Sequence, residues 1–344
     1  MATSRDALTI HYTKEDILRA ITTFSQLKPE EARKIFDLGE DVRDWKIELA
    51  QKDLLETNLN EQNIIDYLYR PFDKRYTYYT GKTRGFHSRP RQEIMGHLLY
   101  PNYAIFVGRQ GQAIGESDWN LVFCGNGIED YNLFRRGNNA CIPLYLYEKQ
   151  ERLFTESSAP IKTENLTKEF RRLLEKNYHT HYTPEQVFGA IYALLYSPSY
   201  RKKYAEFLKI DFPRFIFPET QAQFEHLAAL GWQLIQVHLL KTIPAYPFGE
   251  YQGKGKHNVV APDYRKNAEY ERLYINPTQY FDHIPENVYQ FQIGGYQVLE
   301  KYLKDRKERI LTLTEVKTVR NTVKALAFTI EQMQTIDDAT KDWI

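Results

Sequence analysis

The sequence predicts an α+β protein: a mixed α/β region of short strands and long loops, flanked by an N-terminal helical connector and a mostly helical C-terminal part. Three observations carry this. Residues 1–60 have apolar spacings of three and four with capping residues; residues 61–182 switch to short β-prone runs closed by Gly and Asn; residues 183–344 return to capped helical stripes. Those ranges are the expected domains.

In the first range Thr13 caps a helix, Asp16 stands at its third position, and Ile17, Leu18, Ile21 and Phe24 share a face. Pro29 with Glu30 and Glu31 starts a second helix, which Gly39 ends. A third is expected from about Val42 to Leu55, with Val42, Trp45 and Leu49 inward. The segment reads like the middle of a longer chain.

Four strands are expected next. They are 76–79, stopping at Thr80-Gly81; 103–107, ending at Gly108; 121–124, bounded by Gly125-Asn126-Gly127; and 142–147. A helix fits between Arg91 and Leu99, and residues 150–182 read as a charged surface connection.

Thr183-Pro184-Glu185-Gln186 then opens a helix lined by Val187, Ile191, Leu194 and Leu195, stopped by Ser197-Pro198. A second carries Tyr204, Phe207 and Leu208. After an extended Asp211–Pro218 comes a long helix from about Glu219 to Leu240, with Phe224, Leu227, Ala228, Leu234, Ile235 and His238 on one stripe. Residues 241–272 read as a loop region with short strands. Gly294-Gly295 precedes a helix bearing Tyr296, Leu299 and Leu303, and the last helix packs through Val319, Val323, Leu326, Ile330 and Met333.

The 344 residues leave room for two domains, and 42% hydrophobic with 14% aromatic content is that of a folded chain. The formal charge is +1, so global charge says nothing of partners. The 26 tyrosines suit half-buried walls and recognition surfaces. Cys124 and Cys141 are the only cysteines, read as small core residues, and a reduced cytoplasmic setting is expected. No apolar run approaches the ~18 residues of a membrane span. No membrane partner is expected.

Local charge is informative. Between Arg70 and Arg91 lie seven cations (Arg70, Lys74, Arg75, Lys82, Arg84, Arg89 and Arg91) against one acid, Asp73, interleaved with Phe72, Tyr76, Tyr78, Tyr79 and Phe86. A solvated basic face has no use for so many rings. A polyanion-binding surface does, with guanidinium forks on phosphates and flat rings beside sugars and bases. Arg75, Lys82, Arg84, Arg89 and Arg91 are the phosphate candidates, while Arg70 is divided between DNA contact and an internal ion pair with Asp73. Arg109-Gln110 follows an apolar strand, and Arg135-Arg136-Gly137-Asn138 makes a further basic turn. Arg109, Gln110, Arg135, Arg136 and Asn138 carry the groups that read guanine and adenine edges. Lys254 and Lys256 form a last basic loop.

Catalytic chemistry is harder to find. Asn276-Pro277-Thr278-Gln279-Tyr280 lacks the second proline of an amino-methyltransferase motif, and Gly125-Asn126-Gly127 reads as a turn. Glu315-Val316-Lys317 fits half of a nuclease motif but falls at an expected helix start. His179 and His181 have no neighbouring ligand to complete a metal site, and there is no phosphate-binding loop or nucleophile elbow. No catalytic or metal residue is assigned.

Several blocks in one order resemble a known family. They are Val42-Arg43-Asp44-Trp45-Lys46, YRPFD with RYTYYTG after it, RPRQEIM at 89–95, Pro143-Leu144-Tyr145-Leu146-Tyr147, SPSYRKKYAEFLKIDFPR at 197–214, Tyr274-Ile275-Asn276 and FQIGGYQVLEKYLKDRK at 291–307. Together they are similar to the C-terminal specificity region of Type ISP restriction–modification enzymes and related adenine-N6 DNA methyltransferases. The resemblance implies recognition of a short asymmetric duplex DNA sequence by this chain, with residues 1–60 ending a methyltransferase region. It implies methyltransferase, helicase-like and nuclease domains as partners in the same enzyme. S-adenosylmethionine is expected for that methyltransferase, and no cofactor for this chain. Two alternatives stand beside it: a nuclease working through Glu315 and Lys317, and a docking subunit for RNA or a partner protein.

Overall fold

The structure, a computed structural model, describes all residues except 4, 110–117, 137–138 and 149–159. The chain divides into two compact units, Met1–Ala104 with Gly125–Leu133 and Tyr145–Thr163, and Ile105–Cys124 with Phe134–Leu144 and Glu164–Ile344. Among the described residues, no helix is long and apolar enough to cross a membrane.

In the first unit the helices Lys14–Gln26, Pro29–Ile35 and Ile47–Glu56 share a core with the hairpin Ile64–Arg70/Asp73–Tyr78. Thr13 Oγ1 accepts the Asp16 amide at 3.0 Å, which sets the start of the first of these helices and turns Ile17, Ile21 and Phe24 inward, with Leu18 at the edge. The third helix begins later than its sequence pattern suggests. Val42 and Trp45 exchange backbone hydrogen bonds at 2.9 and 3.1 Å, folding 42–45 into a tight turn. Val42 is therefore exposed, and the inward face consists of Ile47, Ala50 and Leu54 rather than Val42 and Leu49. The hairpin is antiparallel, with an irregularity between Leu68 and Arg70, and a short strand, Ile128–Glu129, adds in parallel to its first strand.

Ala104–Gly108, which belongs to the second unit from Ile105 on, lies between Val122–Gly125 and Asn139–Pro143 in a small sheet. The single strand expected over 142–147 is broken at Leu144, because Pro143 has no N–H and the Leu144 carbonyl accepts the Asn165 amide at 2.9 Å. The stretch expected to be a surface connection contains the helix Lys168–Tyr178, capped by Thr167 and buried through Leu174 and Tyr178. Its inward stripe is narrow, so the charged outer face dominates its composition.

The helices Pro184–Tyr196 and Gln221–His238 open with the expected capping motif and with a capping box at Thr220, respectively. They touch backbone to backbone at Gly189 and Gly231, where a Cβ on Gly231 would collide with the Gly189 carbonyl oxygen. All six residues of the 219–240 stripe are buried. Residues 250–282 are more ordered than a loop region. Glu250–Gln252, Asp263–Lys266, Glu271–Asn276 and Gln279–Asp282 form an antiparallel four-stranded sheet. Gly294-Gly295 turns a small hairpin, so Tyr296 is in a strand and the helix starts at Val298. The final helix, Leu313–Thr340, buries Val319, Val323 and Leu326.

Candidate nucleic-acid interface

The basic stretch at 70–91 separates into a buried half and an exposed half. Arg70 and Arg75 are each only 7% exposed. Arg70 was expected either on DNA or paired with Asp73; its guanidinium meets Asp130 at 2.9 Å and lies 3.7 Å over the Tyr69 ring, while Asp73 holds Arg75 at 2.8 Å. Arg75 is also sandwiched by Tyr69 and Tyr12. Asp130 further accepts the Tyr67 hydroxyl at 2.6 Å; burial pushes its carboxyl up, against the pull of Arg70. These charges are internal struts of the hairpin, and their guanidiniums are already engaged.

The exposed half is a fixed loop. Asp53, buried on the inner side of its helix, accepts the Thr80 hydroxyl and the Phe86 amide through the same oxygen, each at 2.7 Å. Gly85 passes so close to that carboxylate that a Cβ there would collide with Asp53 Oδ2. The Trp45 indole N–H donates to the Phe86 carbonyl at 3.1 Å, and the Tyr79 hydroxyl donates to the Pro90 carbonyl at 3.1 Å. Between these anchors the turn closes through Gly85 N–H to Lys82 C=O at 3.2 Å, which places Arg84 in the left-handed region, φ +60°.

The loop presents Lys82, Arg84, Arg89 and Arg91, all exposed. Lys82 pairs with Glu56, and Arg89 with Asp44 at 2.8 Å; these hydrogen bonds hold both carboxyls below their usual range. Such surface pairs contribute little and exchange readily for another anion. Arg84 and Arg91 make no ion pair among the described residues. The loop is thus a rigid platform with two uncommitted and two weakly committed cations.

In the second unit Arg109 follows the strand Ala104–Gly108, exposed, with its guanidinium 5.3 Å over Phe212. Trp119 anchors that strand end by donating to the Gly108 carbonyl at 2.8 Å. Arg135 and Arg136 are exposed on a turn held by the Arg135 amide on the Gly294 carbonyl at 2.7 Å, and Arg136 has φ +67°. Gln110 and Asn138 lie outside the described residues. Lys254 and Lys256 are exposed beside the four-stranded sheet.

Glu315 does capping work. Its carboxylate accepts the Thr312 amide at 2.8 Å and Arg306 Nε at 2.9 Å. His181 meets Glu175 at 3.3 Å on the surface, and among the described residues no cluster of three His, Cys, Asp or Glu could hold a metal. The residues that sequence reasoning missed are Asp53 and Asp130; Trp45 was expected inward, but not its hydrogen bond to the loop. The only signal for Asp53 is an acid on the buried stripe of its helix, next to Leu54 and three residues after Ala50.

Residues 1–335 match the family model described as the Type ISP C-terminal specificity domain. No curated protein sequence matches. The fold is similar to part of three solved structures, each over 98% of this chain. They are a DrdV–DNA complex (18% identity, TM-score 0.71, 35% of that chain), the ATP-dependent Type ISP restriction–modification enzyme LlaBIII bound to DNA (19%, 0.71, 22%), and a nuclease-deletion mutant of the Type ISP enzyme LlaGI with a DNA substrate mimic (17%, 0.66, 32%). The chain spans between about a fifth and a third of the length of these proteins.

Proposed function

The chain belongs to the Type ISP C-terminal specificity domain family, and on that premise we propose that it is a duplex DNA target-recognition module. The rigid loop 80–91 carries this reading. An exposed arginine in left-handed backbone on a fully anchored turn is costly to maintain for folding alone, whereas it suits a fixed phosphate contact. Lys82, Arg84, Arg89 and Arg91 set register on the backbone. Arg109, Arg135 and Arg136 supply base-edge readers, and Gln110 and Asn138, outside the described residues, are proposed as further readers through their side-chain amides. Arg70 and Arg75 hold the hairpin beneath.

In this reading the module works beside methyltransferase, motor and nuclease domains. Supporting it, the similar LlaBIII and LlaGI are much longer restriction–modification enzymes, the first ATP-dependent and the second lacking its nuclease in the mutant compared. S-adenosylmethionine belongs to the methyltransferase. No chemical step is assigned to this chain.

The test is a selection. The purified chain is incubated with a random duplex pool at moderate salt, and the bound fraction is sequenced. An enriched asymmetric motif containing adenine is expected. Binding without enrichment, falling steeply with salt, would leave only an electrostatic surface.

A further inference from the structure

We infer that the open face of the four-stranded sheet, with the Lys254–Lys256 tip beside it, is a binding surface for an unpaired DNA strand; this rests on the DNA reading above and extends it. Cross-strand register puts Arg265 opposite Arg272, Tyr274 opposite Tyr280, and Tyr280 opposite Gln252. Partners in register share a face. Leu273 and Phe281 occupy the other face and are fully buried. The Arg/Tyr face remains partly or wholly accessible.

This face is a continuous row of flat groups. The Tyr274 and Tyr280 rings lie 4.9 Å apart, Arg265 sits 4.4 Å over Tyr274, and Arg272 sits 4.5 Å over Tyr280. Asp282 orients Arg272 through Nε at 3.0 Å, and Asp263 orients Arg265 at 2.8 Å. Arg272 also lies 4.4 Å over Tyr270, so the row is internally engaged and pre-arranged, and a base packing against its accessible side would cost little side-chain entropy.

The tip at the end of this row is built to be rigid. A Cβ at Gly253 would collide with the Thr278 carbonyl oxygen, and Gly253 has φ +94°. The Thr278 hydroxyl donates to the Lys254 carbonyl at 3.1 Å, and the His257 amide donates to Gln279 Oε1 at 2.9 Å. Asn276 Nδ2 reaches the Asn258 carbonyl at 2.9 Å. Every anchor uses backbone, so both lysine side chains stay exposed and make no ion pair among the described residues.

Two lysines on an anchored backbone beside a pair of tilted tyrosine rings fit a phosphodiester strand with accessible bases. An acidic protein surface would engage the lysines and leave the rings without a role. A closed duplex hides its base faces, which favours an unpaired stretch.

The test uses the whole chain with fluorescently labelled oligothymidylate and with a duplex of equal length, read by anisotropy across a salt series. Wild type is expected to bind oligothymidylate. Tyr280→Ala weakens that binding roughly tenfold, and Tyr280→Phe does not. The double variant Lys254→Ala/Lys256→Ala, which removes no side-chain hydrogen bond or ion pair among the described residues, lowers the slope of log affinity against log salt by about 1.4. An unchanged slope in the lysine variant, or a wild type that binds duplex but not oligothymidylate, overturns the inference and leaves the duplex reading standing. Failure of wild type to bind either probe overturns both.

Discussion

Asp53 Oδ2 accepts the backbone N–H of Phe86 at 2.7 Å, across 33 positions of sequence, and this bond helps tie the basic loop to the helical core. The same oxygen takes the Thr80 hydroxyl, so both ends of the turn that carries Lys82 and Arg84 hang on a single buried carboxylate. Removing it leaves two donors without a partner in a site that Gly85 keeps too tight for a bulkier neighbour.

Asp53→Ala should therefore cost about 2–4 kcal/mol of stability, one penalty for each stranded donor. DNA affinity should fall as well, although Asp53 lies beneath the loop. Denaturant unfolding and exchange of the Phe86 amide check the first effect, and a filter-binding titration checks the second. Thr80→Val leaves the Phe86 amide on Asp53 and takes an acceptor only from the solvent-exposed Lys82 amide, so it should show a milder form of both.

Arg84 separates stability from binding. Its φ of +60° is one that glycine adopts freely. Arg84→Gly should be more stable than Arg84→Ala by up to about 1 kcal/mol, since alanine keeps the strain. Both should lose affinity equally, for every duplex, with the salt slope smaller by about 0.9. Thermal melts and salt titrations of the two variants decide this.

Arg70 should behave in the opposite way. Arg70→Ala strands Asp130 as a buried charge and should cost on the order of 3–5 kcal/mol. Arg70→Ala/Asp130→Asn should recover part of that loss. Once folded, the double variant should keep its DNA salt slope, because the Arg70 guanidinium is spent inside the hairpin.

Two buried histidines make stability sensitive to acid. In the first unit Thr77 gives its hydroxyl proton to the Thr9 carbonyl, so His87 Nε2–H must donate to Thr77 at 3.0 Å. In the second, Thr329 donates to the Ala325 carbonyl, so His238 Nε2–H donates to Thr329 and Nδ1 accepts from the Tyr192 hydroxyl at 2.6 Å. Burial lowers each pKa from 6.5 to about 3, so both rings are neutral near pH 7. The unfolded chain binds these protons first. The stability they confer is complete above pH 6.5 and falls as pH drops toward 3. Unfolding titrations between pH 7 and 4 should show this loss, and ¹⁵N shifts of the two rings should report the Nε2–H tautomer.

The helices were legible where capping and periodicity agreed, as at Thr13, Thr183 and the 219–240 stripe. Asp53 was not, because an acid on a helix reads as surface until its partners arrive from a loop 27 to 33 residues later. The charge run at 70–91 was visible as a whole, but its division was not: Arg70 and Arg75 look like Arg84 in sequence. What distinguishes them is Asp130, 60 residues downstream, and the rings of Tyr12 and Tyr69. The sheet at 250–282 was legible only as short strands in a loop region, because the glycines and prolines of its connections read as loop.

The most direct measurement of the account is a pair of affinities for each of two variants, on the selected duplex and on a scrambled one of equal length. Arg84→Ala should weaken both by the same factor. Arg109→Ala should weaken the selected duplex by about 1–3 kcal/mol at one base pair and leave the scrambled duplex nearly unchanged. Equal losses on both duplexes for both variants would contradict the division between a phosphate-fixing loop and a base-reading strand end.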